Sequence, residues 1–155
     1  MSISSLLPAE AVQLHISAAD STDVIQKLGS ILSQTGYVKQ GFIEATLARE
    51  ASMPTGLPLG GDVNAAIPHV DIEYVSHPAL ALATLDSAVI FRNMVEPEVE
   101  VPVRLVIMLA LDQPKSQIEV LQQVADILQN PPVVDGLMAA SSVDEVRAIL
   151  DGIGR

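Results

Sequence analysis

The sequence contains no cysteine. That excludes disulfides, thiolate metal sites and cysteine nucleophiles together. Tryptophan is also absent and aromatic residues amount to 3%, so a core has to be built from Leu, Ile, Val, Ala and Met. Basic residues are scarce: eight Lys and Arg stand against nineteen Asp and Glu, a net charge of −11. Such a surface repels phosphate backbones and anionic lipid, so neither nucleic acid nor direct membrane insertion is expected. A partner that presents a basic patch would suit it. Long apolar runs are missing too. The longest, "VPVRLVIMLAL", is broken by Arg104 and is too short to span a bilayer. The opening "MSISSLLPAEAVQL" lacks the basic start and long apolar stretch of a signal peptide, and the expectation is a soluble cytoplasmic protein.

Several catalytic signatures are missing as well. There is no G-x-S-x-G, and Ser52 and Ser76 sit in no nucleophile-elbow context. "GLPLGGD" lacks the Lys-Ser/Thr ending of a phosphate-binding P-loop, and its adjacent glycines do not make G-x-G-x-x-G.

What is present reads as one domain. Apolar residues make up 49% of 155, and a chain of this length buries about two-thirds of its unfolded surface. "AVQLHI" predicts a short strand. Asp20 or Ser21 caps a helix whose apolar positions Val24, Ile25, Leu28, Ile31 and Leu32 recur at helical spacing, with Gly36 as its stop. A second helix is predicted over 40–51, with Phe42, Ile43, Leu47 and Ala51 on its apolar side. "ASMPTGLPLGGD" is a loop, and "VNAAIP" a strand that stops at Pro68. "PALALATL" predicts a strand and "SAVIF" a weaker one. Glu96, Glu98 and Glu100 form a solvated edge or loop, and "VRLVIMLAL" reads as a strand covered on both faces. Three helices follow: "SQIEVLQQVADIL" with Ser116 near its start, "PPVVDGLMAA" opening on proline, and "SSVDEVRAIL" with a capping box from Ser142 to Glu145. Interleaved strands and helices without a linker predict an α/β domain.

Three histidines remain to be weighed. His15, between Leu14 and Ile16, reads as a partly buried structural residue. His77, before Pro78, reads as a solvated turn residue that would approach His69 only if their strands pair. His69 stands directly after Pro68, which fixes φ and withholds a ladder donor. Small Ala65 and Ala66 precede it, beside a glycine-rich loop, and strand ends next to such loops are where α/β proteins place chemistry. These features alone leave a structural and a functional reading side by side. His69, Asp71 and Glu73 would share a face in a strand, but one imidazole and two acids are a poor match to the ligand sets that zinc prefers. An imidazole nucleophile needs neither metal nor cofactor: the neutral ring can accept a phosphoryl group in line if nearby donors spread the charge.

"ARE" from Ala48 to Glu50, then "PTGLPL", "NAAIPH" and "PALALATL" resemble the type-2 IIA components (EIIA) of the bacterial phosphoenolpyruvate-dependent sugar phosphotransferase system, the fructose–mannitol class. The resemblance extends to nearly the whole chain, and "MPTGLP" is most like the galactitol-type members. It implies a single domain over residues 1–155, a central mixed β-sheet covered by helices on both faces in three αβα layers. It also implies that His69 takes a phosphoryl group on Nε2 from the carrier protein HPr and passes it to a cognate IIB (EIIB), whose acceptor is usually a cysteine. A membrane component, IIC (EIIC), is served only indirectly, and no cofactor or metal is implied. With Nε2 as the nucleophile, Nδ1 carries the proton, and a backbone carbonyl is expected to hold it.

Arg49 matches a family arginine near the active histidine and would stabilise the phosphoryl oxygens; the alternative is a solvated helix-end residue. Thr55 and Asn64 are candidate donors to the phosphoryl group, or else turn and cap residues, and Glu50 anchors Arg49 or the loop. Met53, Leu57, Leu59 and Ile67 form an apolar ring around His69, or are simply core. Mannitol-type members carry a second active-site histidine where this sequence has Ser116, a departure that favours galactitol or a related polyol over mannitol or fructose. Other readings are a IIA for ascorbate or a pentitol, a regulatory protein that switches partners on phosphorylation, and a binding protein in which His69 is structural.

Overall fold

The apolar run that ends at Leu111 forms the spine of the molecule. In a computed structural model, which describes residues 3–152, β5 (Glu100–Ala110) pairs antiparallel with β4 (Ala79–Arg92) along nearly its whole length, from Ala79↔Ala110 to Arg92↔Glu100. β1 (Val12–Ile16) lies parallel to β4. β3 (Ala65–Ala66) lies parallel to β5, and β2 (Gly56–Leu57) pairs antiparallel with β3, which gives the order β1-β4-β5-β3-β2. The sheet is mixed, as expected.

Alternation along β4 and β5 sends side chains to two cores. Ala79, Ala81, Ala83, Val106 and Met108 pack beneath α1 (Ser21–Gln34) and α2 (Phe42–Ser52). Leu80, Leu82, Leu105, Ile107 and Leu109 face α3 (Pro114–Leu128), α4 (Pro131–Ala139) and α5 (Val143–Asp151). Each such Leu or Ile contributes about 1.5–3 kcal/mol on burial. Helices therefore cover both faces of the sheet, and the chain forms a single three-layer domain.

The caps follow the sequence closely. Asp20 accepts the Asp23 N–H at 2.8 Å, and Gly36, at φ +85, turns the chain so that Tyr37 N–H closes onto Leu32 O. Ser142 accepts the Glu145 N–H at 3.1 Å, while the Glu145 carboxylate reaches back to Ser141 N–H, one residue earlier than in a standard capping box. α2 starts at Phe42 and buries Thr46 as well as Phe42, the Thr46 hydroxyl donating to Phe42 O at 2.7 Å.

Three expectations change. "PALALATL" and "SAVIF" are halves of one bent strand, because the register jumps between Thr84 and Val89. Asp86, Ser87 and Ala88 are exposed there, and Arg104 Nε donates to the freed Leu85 carbonyl at 3.0 Å. The chain also stays with the sheet past Pro68. Proline withholds one rung of the ladder, but its carbonyl accepts Leu109 N–H at 3.0 Å and His69 bridges to Leu109. Finally, His15 is exposed rather than partly buried. It sits at φ +54 in an irregularity of β1, with Thr84 Oγ1 accepting its N–H and its Nε2–H donating to Ala140 O at 2.8 Å.

Candidate active site

α2 ends on the turn that carries Arg49, and the chain then crosses to β2 through Met53, Pro54 and Thr55. β2 pairs with β3, which leads through Pro68 to His69 at the margin of the sheet. The turn between β4 and β5 arrives from the other side. Gly56 makes this approach possible, since a Cβ there would stand 2.5 Å from Arg92 O; Gly56 O then accepts Met94 N–H at 2.9 Å. These segments enclose an open cavity of about 510 Å3 whose lining includes Arg49, Met53, His69, Met94, Pro97 and Leu121.

The His69 ring is oriented by one bond. Its Nδ1–H donates to Ile67 O at 2.8 Å, which leaves Nε2 as the lone-pair nitrogen. The expected backbone carbonyl is thus Ile67 O. Burial is the main influence on the ring and lowers its pKa below the ordinary 6.5. The Ile67 carbonyl opposes this, the Arg49 charge adds to the fall, and Asp71 opposes it in turn. A neutral ring with a free nitrogen is a nucleophile and not a fixed cation.

Arg49 shares the cavity. Its Nη1 donates to Asp71 Oδ1 at 3.3 Å, and its Nε is buried without a hydrogen-bond partner. A buried donor of this kind costs free energy unless an acceptor meets it.

Glu50 holds the loop, the second of its two expected roles. Its carboxylate accepts Thr55 N–H at 2.7 Å and the Thr55 hydroxyl at 2.8 Å. Burial pushes the Glu50 carboxyl up, against the lowering effect of both Thr55 donors. Thr55 lines the cavity but is itself buried, and its hydroxyl proton is given to Glu50, so its donor is already in use. Asn64 lies away from the lining: its Oδ1 accepts Leu59 N–H at 3.1 Å and its Nδ2 donates to Pro102 O at 2.9 Å, tying the glycine loop to β5. Ser116 sits in the first turn of α3, outside the lining, whereas Leu121 one turn later contributes. Of the expected apolar ring, Met53 and Ile67 reach the cavity; Leu57 and Leu59 pack into the core under α3–α5.

The structure does not bring His77 to His69. His77 is exposed and its N–H donates to Tyr37 O at 3.0 Å. Asp71 turns to Arg49, and the chain enters a 3-10 turn over Ile72–Tyr74, so His69, Asp71 and Glu73 do not form a strand face. Met94, Pro97 and Leu121 escaped the sequence reading. They come from segments distant in sequence from His69, and no local pattern marks them; Met94 stands 39% exposed in the β4–β5 turn.

The sequence profile of the family described as "Phosphoenolpyruvate-dependent sugar phosphotransferase system, EIIA 2" matches residues 5–152. The chain belongs to this family. EIIA 2 proteins are phosphotransferase components that carry a phosphoryl group in sugar uptake. Among its relatives is the galactitol-specific EIIA component of Escherichia coli K12, 31% identical over 127 residues, which are 82% of this chain and 83% of that protein. The mannitol-specific enzyme IIA component of Geobacillus stearothermophilus is 26% identical over 153 residues, 96% of this chain and 97% of its own length. In the solved complex of mannitol enzyme IIA with phosphorylated enzyme IIB from Escherichia coli, a matching chain superposes with a TM-score of 0.76. It is 29% identical, and the match covers 94% of this chain and 97% of that one. No helix among the described residues is long and apolar enough to cross a membrane.

Proposed function

We propose that His69 is the phosphoryl carrier of this EIIA, accepting the group from phospho-HPr and handing it to a cognate EIIB for uptake of galactitol or a related polyol. The observation that carries this reading is the state of His69: Nδ1–H fixed on Ile67 O, and Nε2 in a cavity shared with the unpartnered Nε of Arg49. In the first transfer the Nε2 lone pair attacks phosphorus as the donor's P–N bond breaks, and that electron pair returns to the donor ring. The phosphorylated ring keeps Nδ1–H and becomes cationic, a charge that Ile67 O supports. Arg49 supports the phosphoryl oxygens. The second transfer runs the same displacement outward to an EIIB nucleophile, with EIIC served through EIIB.

Partner choice follows from surface chemistry. An electronegative rim draws a donor with a basic fringe, and exposed Met53 and Met94 give that donor an apolar seat that limits water near a hydrolysable phosphohistidine. The polyol assignment is supported by the galactitol-specific relative, the "MPTGLP" loop and Ser116, which the resemblance sets where mannitol-type members have a histidine. Under this reading residues 1–155 act as one carrier domain in the cytoplasm, where its donor works.

The test is incubation with phosphoenolpyruvate, the first enzyme of the system and HPr, followed by intact-mass measurement. One acid-labile phosphoryl group is expected, and none on His69→Ala. An unlabelled wild-type protein beside a labelled control EIIA would overturn the proposal.

A further inference from the structure

The antiparallel pairing of β2 with β3 sets Gly56 against Ala66 and Leu57 against Ala65. Extended by one residue, it sets Thr55 against Ile67. Ile67 N–H does donate to Thr55 O, at 3.4 Å, so this is a pair that in a regular ladder would exchange two bonds. The reciprocal bond, from Thr55 N–H to Ile67 O, is not made. Thr55 N–H goes to Glu50 Oε2 instead, at 2.7 Å, and the Ile67 carbonyl accepts Nδ1–H of His69. Glu50 Oε1 accepts the Thr55 hydroxyl as well, and Thr55 Oγ1 in turn accepts Ile67 N–H at 3.2 Å. The carboxylate therefore withdraws the Thr55 amide, the donor that the rung would otherwise aim at Ile67 O.

We infer that Glu50 is a positioning residue for phosphoryl transfer: by diverting the Thr55 amide, it reserves the Ile67 carbonyl for His69 and so sets which ring nitrogen is free. The inference rests on the carrier reading of His69 and extends it to a residue that touches neither the ring nor the incoming group. Without the carboxylate, Thr55 N–H regains its ladder partner. Nδ1–H then shares that carbonyl with a second donor, its own bond weakens, and the ring redistributes toward the tautomer with its proton on Nε2. That tautomer cannot attack. If about one-fifth of the protein kept the productive tautomer, transfer would slow about five-fold, because the apparent rate scales with the competent fraction.

The experiment is nitrogen NMR of the His69 ring in 15N-labelled, unphosphorylated protein, at a pH where the ring is neutral. Wild type should show Nε2 at a pyridine-type shift and Nδ1 at a pyrrole-type shift. Glu50→Ala should move Nε2 toward the pyrrole type and slow acceptance from phospho-HPr about five-fold. Glu50→Gln keeps one acceptor oxygen and should fall between the two; it decides the matter alone if the alanine variant does not fold. A merely structural Glu50 would lower the melting temperature and leave the ring nitrogens where they are. Unmoved Nε2 in a folded Glu50 variant overturns the inference. If wild type accepts no phosphoryl group, the carrier reading fails separately, since the tautomer is measured without any donor.

Discussion

Arg49 Nη1 stands 3.3 Å from Asp71 Oδ1, so the arginine at the end of α2 is tethered to an acid two residues past His69. The tether is mostly solvated: the Asp71 side chain is 68% exposed. Its worth is orientation more than stability, since exposed pairs contribute about 0–1 kcal/mol. Asp71→Asn should leave the unfolding free energy within about 0.5 kcal/mol of wild type. It should slow phosphoryl acceptance less than Arg49→Ala, for which a loss on the order of 100-fold is expected from removing a charge-stabilising donor. Stopped-flow transfer from phospho-HPr, with denaturant unfolding alongside, checks both. An Arg49→Ala protein that transfers at the wild-type rate would remove the arginine from the site.

The His69 pKa lies below 6.5 chiefly because the ring is buried, with Ile67 and Asp71 pulling the other way and Arg49 adding to the fall. The neutral nucleophile thus persists at pH values where an ordinary histidine is half protonated. The sign for stability follows from the same depression. The unfolded chain binds this proton more tightly, so the ring's contribution is fully present above 6.5 and is lost as pH falls through the window beneath it. An NMR titration of the ring Cε1–H should give a midpoint under 6.5; a midpoint above it would contradict the burial argument.

Gly56 is where β2 meets the end of β4. A Cβ there would stand 2.5 Å from Arg92 O and 3.3 Å from Phe91 Cβ, and the first contact is with backbone that cannot swing aside. Gly56→Ala should cost about 1–3 kcal/mol, as overpacked positions do. At this chain length that corresponds to about 2–4 °C in melting temperature per kcal/mol. Calorimetry reads the cost directly, and a variant as stable as wild type would show that the strand pair tolerates separation.

Met53 and Met94 expose apolar surface beside His69 without supporting the core. Replacing both by serine should raise the KM for phospho-HPr about five-fold or more, as loss of a docking hot spot does, with the saturated rate retained. Stability should change by no more than about 0.5 kcal/mol for each substitution. An unchanged KM would place the docking face elsewhere.

Local structure was legible wherever a short segment carries its own physics. Asp20, Gly36 and Ser142 marked helix ends because capping and positive φ are decided within a few residues. The Arg49–His69 pairing was legible only through resemblance, since 20 residues and a change of sheet layer separate them. Asn64 and Thr55 look like phosphoryl donors in sequence because their types are right. In space their hydrogen-bonding groups are taken by Pro102, Leu59 and Glu50. The bend in β4 left only a polar interruption at Asp86 and Ser87, which a reader of the string takes as a gap between strands. Pro68 misled in the opposite direction: a missing donor forfeits one rung, yet its carbonyl keeps the chain in register with Leu109.

The β4–β5 hairpin both runs through the centre of the fold and ends in the turn that supplies Met94 and Pro97 to the cavity wall. A contact surface mounted on so stiff a stem arrives ready-shaped, and a visiting protein has little to reorganise on arrival or departure. The turn is also an interchangeable part: under the carrier reading, grafting the matching segment from another EIIA onto this stem should change donor preference while the His69 ring stays untouched.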